Sequence, residues 1–323
     1  MTVVVFDHTP HDGSPFLLQF LAATNLSSFF FISGYLKKPI TSQSKALKKY
    51  AYCLLIPYLI YNAIFYPYWL GKTYIEQDEA LSLTICIKPI LGTILGQLNS
   101  SSSCELNGVT WFLLSLFIMH WITDICNQKK NGKFLMISIS LLAIILYGAN
   151  KYYHFAPYLT FHGLVRCICF FFMGNVFRQS NKLTDKITDI NVRKELVIGL
   201  STLIISLLLF YWHIHEERFV LHILLYYVVN LFSVYAIIHL CRSLNNIRLG
   251  VVTTISIGTM LIFGVHRILI GIIDYAVEKS FHLSDSFYDW YECILLALII
   301  ELILLPIILW SQKHCPLLLG KRH

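Results

Sequence analysis

Long apolar stretches, separated by short polar segments, cover almost the whole chain. The hydrocarbon core of a bilayer is about 30 Å thick and requires roughly 20 residues of helix for one crossing. Stretches of suitable length cover residues 16 to 37, 51 to 70, 109 to 126, 134 to 150, 157 to 178, 196 to 213, 219 to 241, 252 to 275 and 291 to 311. Met1 to His8 form the end of an earlier span. The pattern predicts an all-α polytopic membrane helix bundle of about ten transmembrane helices, the first one incomplete.

The composition indicates a single integral-membrane domain. The 323 residues are 56% hydrophobic and 13% charged, with a mean hydropathy of +0.64, and this charged fraction is about half that of a soluble domain. Because no separable polar region interrupts the apolar pattern, residues 1–323 are predicted to form one domain. The nine cysteines are scattered without a C-x-x-C pair, so neither a disulfide framework nor a metal site is predicted.

The basic residues fall mostly in alternate loops, and this asymmetry orients the chain. Lys37 and Lys38 end the span at 16 to 37 and place that end in the cytoplasm. The inner segments then carry Lys37, Lys38, Lys45, Lys48, Lys49, Lys129, Lys130, Lys133, Arg178, Lys182, Lys186, Arg193, Lys194, Arg242, Arg248, Lys313, Lys321 and Arg322, and the outer segments carry Lys72, Lys88, Lys151, Arg218 and Lys279. The positive-inside rule predicts a multi-pass inner-membrane protein with a cytoplasmic C-terminus. The formal net charge of +7 is therefore assigned to topology and not to binding of nucleic acid.

The segment from Leu81 to Leu98 is apolar, but counting it as a span would invert every later loop. Lys88 and Pro89 lie in its interior among several small residues. These features suit a helix that lies at the outer interface or enters the membrane partway. We therefore predict a surface or shallow re-entrant helix here.

Ionisable residues within apolar stretches are costly to bury and are therefore candidates for function. His8 lies near the predicted outer surface beside Asp7, whose carboxylate could orient the imidazole of a general base. Arg166 lies close to mid-bilayer, where we expect an ion pair with Glu301, and His162 is one helical turn away on the same face. Helix packing is the structural alternative for these groups.

Three further candidates lie toward the outer side. His266 and Arg267 occupy the outer half of their predicted helix and could address the same cavity as His8. Trp111 begins a span at the predicted outer interface, where an aromatic belt is the alternative explanation.

The remaining candidates crowd the predicted inner mouth. Ser33, Gly34 and Tyr35 precede the inner end of their span, where small residues allow either a slender ligand or another helix to approach. Lys48 and Lys49 could bind the phosphates of an anionic cytoplasmic ligand, or serve only as topological anchors.

Six segments in this order and spacing resemble the acyltransferase-3 family of membrane-bound O-acyltransferases that modify surface carbohydrates. They are VVVFDHTP, FFFISGYLKKP, KALKKYAYCLLIPYLIYN, GVTWFLLSLF, FFFMGNVF and MLIFGVHRILI. The resemblance covers almost the whole chain and implies ten spans, an acyl-coenzyme A donor used from the cytoplasm, and a sugar acceptor at the outer face. His8 matches the first-span histidine that is implicated in catalysis in the family. The family's basic residue at the inner end of that span would fall before Met1, so we expect the native chain to begin upstream.

The resulting hypothesis is transfer of an acyl group, most often acetyl, from coenzyme A to a hydroxyl of a lipid-linked or cell-surface carbohydrate. His8 would act as general base, oriented by Asp7, while Arg166, His266 and Arg267 line the passage and stabilise developing negative charge. Acetyl-CoA is then a co-substrate, and no cofactor is bound permanently. The expected partners are the donor, the carbohydrate acceptor and the lipid bilayer.

Coenzyme A is too polar to cross a bilayer, which constrains the path of the donor. Its phosphates should stay near Lys48 and Lys49 while the acyl-pantetheine arm passes Ser33 and Gly34. A transporter or flippase for a glycan intermediate, or a sensor without turnover, is the alternative function. One polar tunnel containing His8, without an inverted repeat, would favour the enzyme.

Overall fold

The computed structural model describes residues 1–11, 13–40, 42–77, 82–96, 106–153, 160–179, 191–244, 249–281 and 288–321. Its helices are α1 (Thr2–Asp7), α2 (Phe16–Leu36), α3 (Gln43–Tyr50), α4 (Ile56–Gln77), α5 (Leu83–Leu95), α6 (Trp111–Asn127), α7 (Gly132–Tyr153), α8 (Phe161–Gln179), α9 (Val192–Ile214), α10 (Phe219–Ser243), α11 (Gly250–Ile257), α12 (Thr259–Phe281) and α13 (Trp290–His314). A π-helical turn, Ala51–Leu55, joins α3 to α4, and 3-10 turns occupy Gly108–Thr110 and Pro316–Leu319. The extended pairing in these ranges is a single bridge between His11 and Tyr288.

Eight helical stretches of the described chain are long and apolar enough to cross a membrane. They are Phe16–Leu36, Gln43–Ile75, Gly108–Asn127, Gly132–Tyr153, Val192–Ile214, Phe219–Ser243, Thr259–Ser280 and Trp290–His314. The remaining predicted span, 157 to 178, corresponds to α8, a helix of 19 residues with Arg166 in its interior. α1 occupies the position of the incomplete first span. The prediction of an all-α polytopic bundle is confirmed.

Sequence signals at the helix ends explain where several elements begin and stop. Asp289 caps α13 in a reciprocal capping box. The side chains of Asn191 and Ser82 accept backbone hydrogen bonds at the starts of α9 and α5. α2 ends at Leu36 because Pro39 follows closely and favours extended backbone before it.

α5 is a short helix that packs alongside α4. Its 13 residues extend about 20 Å, which is less than the thickness of the hydrocarbon core. The Tyr66 hydroxyl donates to the Cys86 carbonyl at 3.0 Å and the Tyr58 hydroxyl donates to the Thr93 carbonyl at 2.6 Å, so the two helices run antiparallel. This length agrees with the prediction that Leu81 to Leu98 does not form a span, although positions 81, 97 and 98 lie outside the described residues.

α2 and α8 cross closely through two glycines. Gly34 lies against the Phe171 carbonyl and Gly174 against the Phe31 carbonyl, at separations that leave no room for a Cβ atom. Tyr35 belongs to the same interface, since its carbonyl accepts a hydrogen bond from α8 at 3.1 Å. Gly34 and Tyr35, which were expected along the ligand path, serve helix packing and lie outside both cavities described below.

α1 is held against α12 and α13. Val5 is fully buried in an apolar cluster with Leu261 and Ile300. The Thr2 hydroxyl donates to the Glu301 carboxylate at 3.1 Å, which ties the start of α1 to α13. Because α1 is fixed in this way, the residues that follow it have a defined position.

Candidate functional site

A cavity of about 410 Å³, the His8 cavity, lies among α1, α2, α6, α8 and α12. Its polar lining includes Asp7, His8, Asn25 and Arg166. The other lining residues are Met1, Val3, Val4, Ala22, Ala23, Leu26, Phe29, Val109, Trp111, Phe112 and Phe263. A histidine, a carboxylate and a guanidinium thus face one largely apolar space.

The His8 imidazole is oriented by the backbone of its own helix. Its Nδ1 lies 2.7 Å from the Val4 carbonyl oxygen, which can only accept a hydrogen bond, so Nδ1 carries the proton of the neutral ring. Nε2 is then the basic atom, and no group in the described part of the chain forms a hydrogen bond with it. The hydrogen bond that orients the His8 ring is therefore made with Val4 and not with Asp7, although Asp7 lines the same cavity.

His266 packs directly beside His8. The two ring centroids are 5.2 Å apart in an edge-to-face arrangement, with an interplanar angle of 78°. His266 is fully buried, and its Nδ1 lies 2.9 Å from the Ile262 carbonyl and 3.1 Å from the Phe263 carbonyl. Its Nε2 is buried without a hydrogen-bond partner among the described residues. His266 therefore packs against the His8 ring and is not itself part of the cavity lining. Arg267 is exposed and also lies outside that lining.

Arg166 lines the His8 cavity but does not form the predicted ion pair with Glu301. Its Nε donates to the Tyr226 hydroxyl at 2.7 Å, and its guanidinium carbon lies 4.8 Å from the centre of the Tyr226 ring. Glu301 accepts from Thr2 instead. The prediction is wrong because depth along a helix does not give direction: α8 presents Arg166 to α10, while α13 presents Glu301 to α1.

Trp111 and His162, both candidates for the channel, lie in different surroundings. The Trp111 ring lines the cavity, packs 6.1 Å from the Phe30 ring and lies against Gly163, so it belongs to the bundle interior and not to an aromatic belt. His162 lies outside the His8 cavity, where its Nδ1 is 3.1 Å from the Asn150 amide nitrogen.

A second cavity, of about 480 Å³, lies at the lysine-rich end of α2 and is called the lysine cavity here. Its lining consists of Ser33, Leu36, Lys37, Lys38, Lys49, Tyr50, Cys53, Leu54, Leu116 and His120. These described lining residues include three lysines and no acidic side chain. Lys48 is exposed and lies outside the lining. Lys49 thus lines the cavity and Lys48 does not, although the sequence analysis predicted the same phosphate-binding role for both.

A buried ion pair beside this cavity was missed at the sequence level. Lys37 and Asp124 are 3% and 0% exposed and form a direct salt bridge. The Tyr50 hydroxyl donates to the second Asp124 oxygen at 2.6 Å and accepts from Lys37 at 3.0 Å. The His120 ring lies 4.7 Å from the Tyr50 ring. The signal that could have found this cluster is a lone aspartate inside an apolar span.

The two cavities open on the same face of α2. Asn25 and Phe29 line the His8 cavity, and Ser33 and Lys37 line the lysine cavity at the helical spacing of four residues. α6 repeats this arrangement, with Phe112 in the first cavity and Leu116 and His120 in the second. On both helices four residues, about 6 Å, separate the lining of one cavity from that of the other.

Comparison with known proteins identifies the chain by family. No curated protein and no solved structure matches it. A family model described as an acyltransferase domain matches residues 1–311, a range that includes every lining residue of both cavities. Because this match takes in nearly all of the 323 residues, the chain belongs to the acyltransferase-3 family and is an acyltransferase.

Proposed function

We propose that this acyltransferase transfers an acyl group, acetyl in the simplest case, from coenzyme A across the membrane to a hydroxyl of a lipid-linked or cell-surface carbohydrate. The observation that supports this most directly is the pair of cavities on one face of α2. One cavity contains a histidine with a free Nε2, and the other contains three lysines. This arrangement suits a reaction in which the general base lies in one cavity and the anionic part of the donor binds in the other, at a different depth in the membrane.

The proposed reaction needs one bond exchange and two proton transfers. The acceptor hydroxyl oxygen forms a bond to the thioester carbonyl carbon, while its proton passes to Nε2 of His8. The carbon–sulfur bond then breaks, and the coenzyme A sulfur leaves as a thiolate that takes the proton from the imidazolium. Arg166, which lines the same cavity, would stabilise the negative charge that develops on the carbonyl oxygen. His266 would hold the His8 ring in place.

The proposed donor site is the lysine cavity. Because Lys37 is already paired with Asp124, the charge available for phosphate comes from Lys38 and Lys49. The acyl-pantetheine arm would run along α2 past Ser33 toward His8. In this proposal the lysine cavity faces the cytoplasm, the C-terminus is cytoplasmic, and the protein lies in the inner membrane, as the charge pattern predicts.

Transfer of a labelled acetyl group tests the proposed function. Membranes with and without the protein are incubated with acetyl-coenzyme A that is radiolabelled in the acetyl group. We expect label in an alkali-labile ester of the carbohydrate fraction, and only where the protein is present. Membranes that bind the donor but never form this ester would contradict the proposal and favour a transporter for a glycan intermediate.

We expect Lys49→Ala to raise the KM for acetyl-coenzyme A about fivefold with little change in kcat. Lys49 is exposed at the cavity wall, where one attraction to a phosphate is worth about 1 kcal/mol. Such a change is a binding defect and not a chemical one. Initial rates over a range of donor concentrations measure it.

Lys48→Ala is the matched control for this measurement. It removes the same charge one residue away, from a side chain outside the cavity lining. Its KM should stay close to the wild-type value. Equal increases in the two variants would assign the effect to overall charge and contradict a specific phosphate contact at Lys49.

A further inference from the structure

Three phenylalanine rings from three helices meet at the wall of the His8 cavity. Phe29 of α2, Phe112 of α6 and Phe263 of α12 all line the His8 cavity. The ring centroids are 5.0 Å apart for Phe29 and Phe112, 4.5 Å for Phe112 and Phe263, and 6.3 Å for Phe29 and Phe263. Each ring therefore contacts the other two, and the three are called the phenylalanine cluster below.

The phenylalanine cluster lies directly above the lysine cavity on two helices. Ser33 follows Phe29 by four residues, Leu116 follows Phe112 by four residues, and both line the lysine cavity. Four residues of helix rise about 6 Å, so on α2 and α6 the cluster lies one layer away from residues that line the lysine cavity. The Ser33 hydroxyl donates a hydrogen bond to the Phe29 carbonyl oxygen at 2.9 Å and so is satisfied by its own helix. The path along α2 consequently has an apolar aromatic section at this layer.

We propose that the phenylalanine cluster is the closure between the donor and acceptor cavities and that it limits the size of the acyl group that the enzyme transfers. The inference rests on the proposed function, because it assumes that an acyl-pantetheine arm passes from the lysine cavity to His8. Close-packed apolar rings offer water no hydrogen-bond partners, so the closed cluster keeps water from running between the cavities. A slender chain passes when the rings change rotamer, and a bulkier acyl group requires a larger displacement.

Phe112 is the main determinant of this limit. It contacts both other rings, and its closest partner, Phe263, lies on a different helix. Phe112 is 3% exposed and Phe263 is 8% exposed, so neither ring has open solvent into which it can move. Tightly packed interiors resist added volume, because the neighbours must leave their preferred rotamers. Each additional methylene on the acyl group should therefore lower the transfer rate.

Replacing Phe112 by alanine tests the closure through acyl-chain preference. The wild-type and Phe112→Ala proteins are compared with acetyl-, butyryl- and hexanoyl-coenzyme A as donors. We expect the ratio of kcat/KM for hexanoyl over acetyl to rise about tenfold in the variant, since one methylene in a size-limited site is worth at least that factor. Hydrolysis of acetyl-coenzyme A to acetate and free thiol, without acceptor, should rise as well because water now reaches the thioester.

Phe170→Ala is the matched control. Phe170 is 2% exposed, packs on Tyr227 with 5.7 Å between ring centroids, and lines neither cavity. This variant loses a buried ring of the same size from the same bundle, so it should be destabilised without a change in acyl-chain preference. A similar change of preference in both variants would assign the effect to general loosening and overturn the closure.

Two further variants keep the test decisive if Phe112→Ala does not fold. Phe112→Leu retains most of the volume without the ring, and Leu116→Phe adds a ring at the next turn of the passage. We expect the first to raise the hexanoyl-to-acetyl ratio of kcat/KM and the second to lower kcat for acetyl transfer. Unchanged preference and unchanged kcat in these proteins, with acetyl transfer intact, would overturn the closure and leave the proposed function standing. Loss of transfer in the wild-type protein would instead contradict the proposed function.

Discussion

Replacing His8 by alanine is expected to abolish acyl transfer while leaving the protein inserted and able to bind coenzyme A. The Nε2 atom of His8 is the free basic imidazole atom that lines the His8 cavity, and loss of a positioned base typically lowers the rate about 100-fold to 10,000-fold. His8 does not line the lysine cavity, which is the proposed donor site, so binding of coenzyme A should persist. Transfer of labelled acetyl and equilibrium binding of coenzyme A measure the two properties separately.

Asp7→Asn is the control for the His8 measurement. It removes the neighbouring charge but keeps the Val4 carbonyl, which orients the imidazole. We therefore expect it to retain most of the transfer rate. Full activity of the His8→Ala protein would overturn the proposed role of His8 as general base.

Removing Asp124 alone is expected to destabilise the folded protein by about 3–5 kcal/mol, because the charge of Lys37 would stay buried without a partner. Tyr50 would also lose the carboxylate to which it donates. The double change Lys37→Met with Asp124→Leu removes both charges together and should be far less harmful than Asp124→Leu alone. Thermal unfolding in detergent or lipid nanodiscs measures all three proteins.

The pair of Glu216 and Arg218, in the loop between α9 and α10, provides the control for this experiment. Their nitrogen and oxygen atoms are 2.7 Å apart, and hydrogen bonding from Arg218 lowers the pKa of the Glu216 carboxyl to about 2. Because the Arg218 side chain is 74% exposed, solvent screens its charge, and Glu216→Gln should lower the unfolding temperature far less than Asp124→Leu. A double variant at Lys37 and Asp124 that is as unstable as Asp124→Leu would show that charge compensation is not what the pair contributes.

The helical bundle and most of its spans follow from the apolar pattern of the sequence. Backbone groups inside a bilayer must bond within their own segment, so a long apolar run has little choice but to form a helix. The predicted span at 16 to 37 became Phe16–Leu36, and the one at 219 to 241 became Phe219–Ser243. The motifs contain His8 and Trp111, and the cost of burying a charge singled out Arg166; the structure brings all three to one cavity.

Which neighbour each side chain contacts depends on tertiary packing. Depth along a helix can be counted in residues, but the face that turns toward a partner depends on how all the helices pack. For this reason Glu301 bonds to Thr2 and not to Arg166, and Gly34 lies in a helix crossing and not beside a ligand path. Lys37 sits where its charge predicts, at the end of α2, yet it is buried because α6 brings Asp124 against it. Such contacts join residues far apart in the chain, so local periodicity carries no information about them.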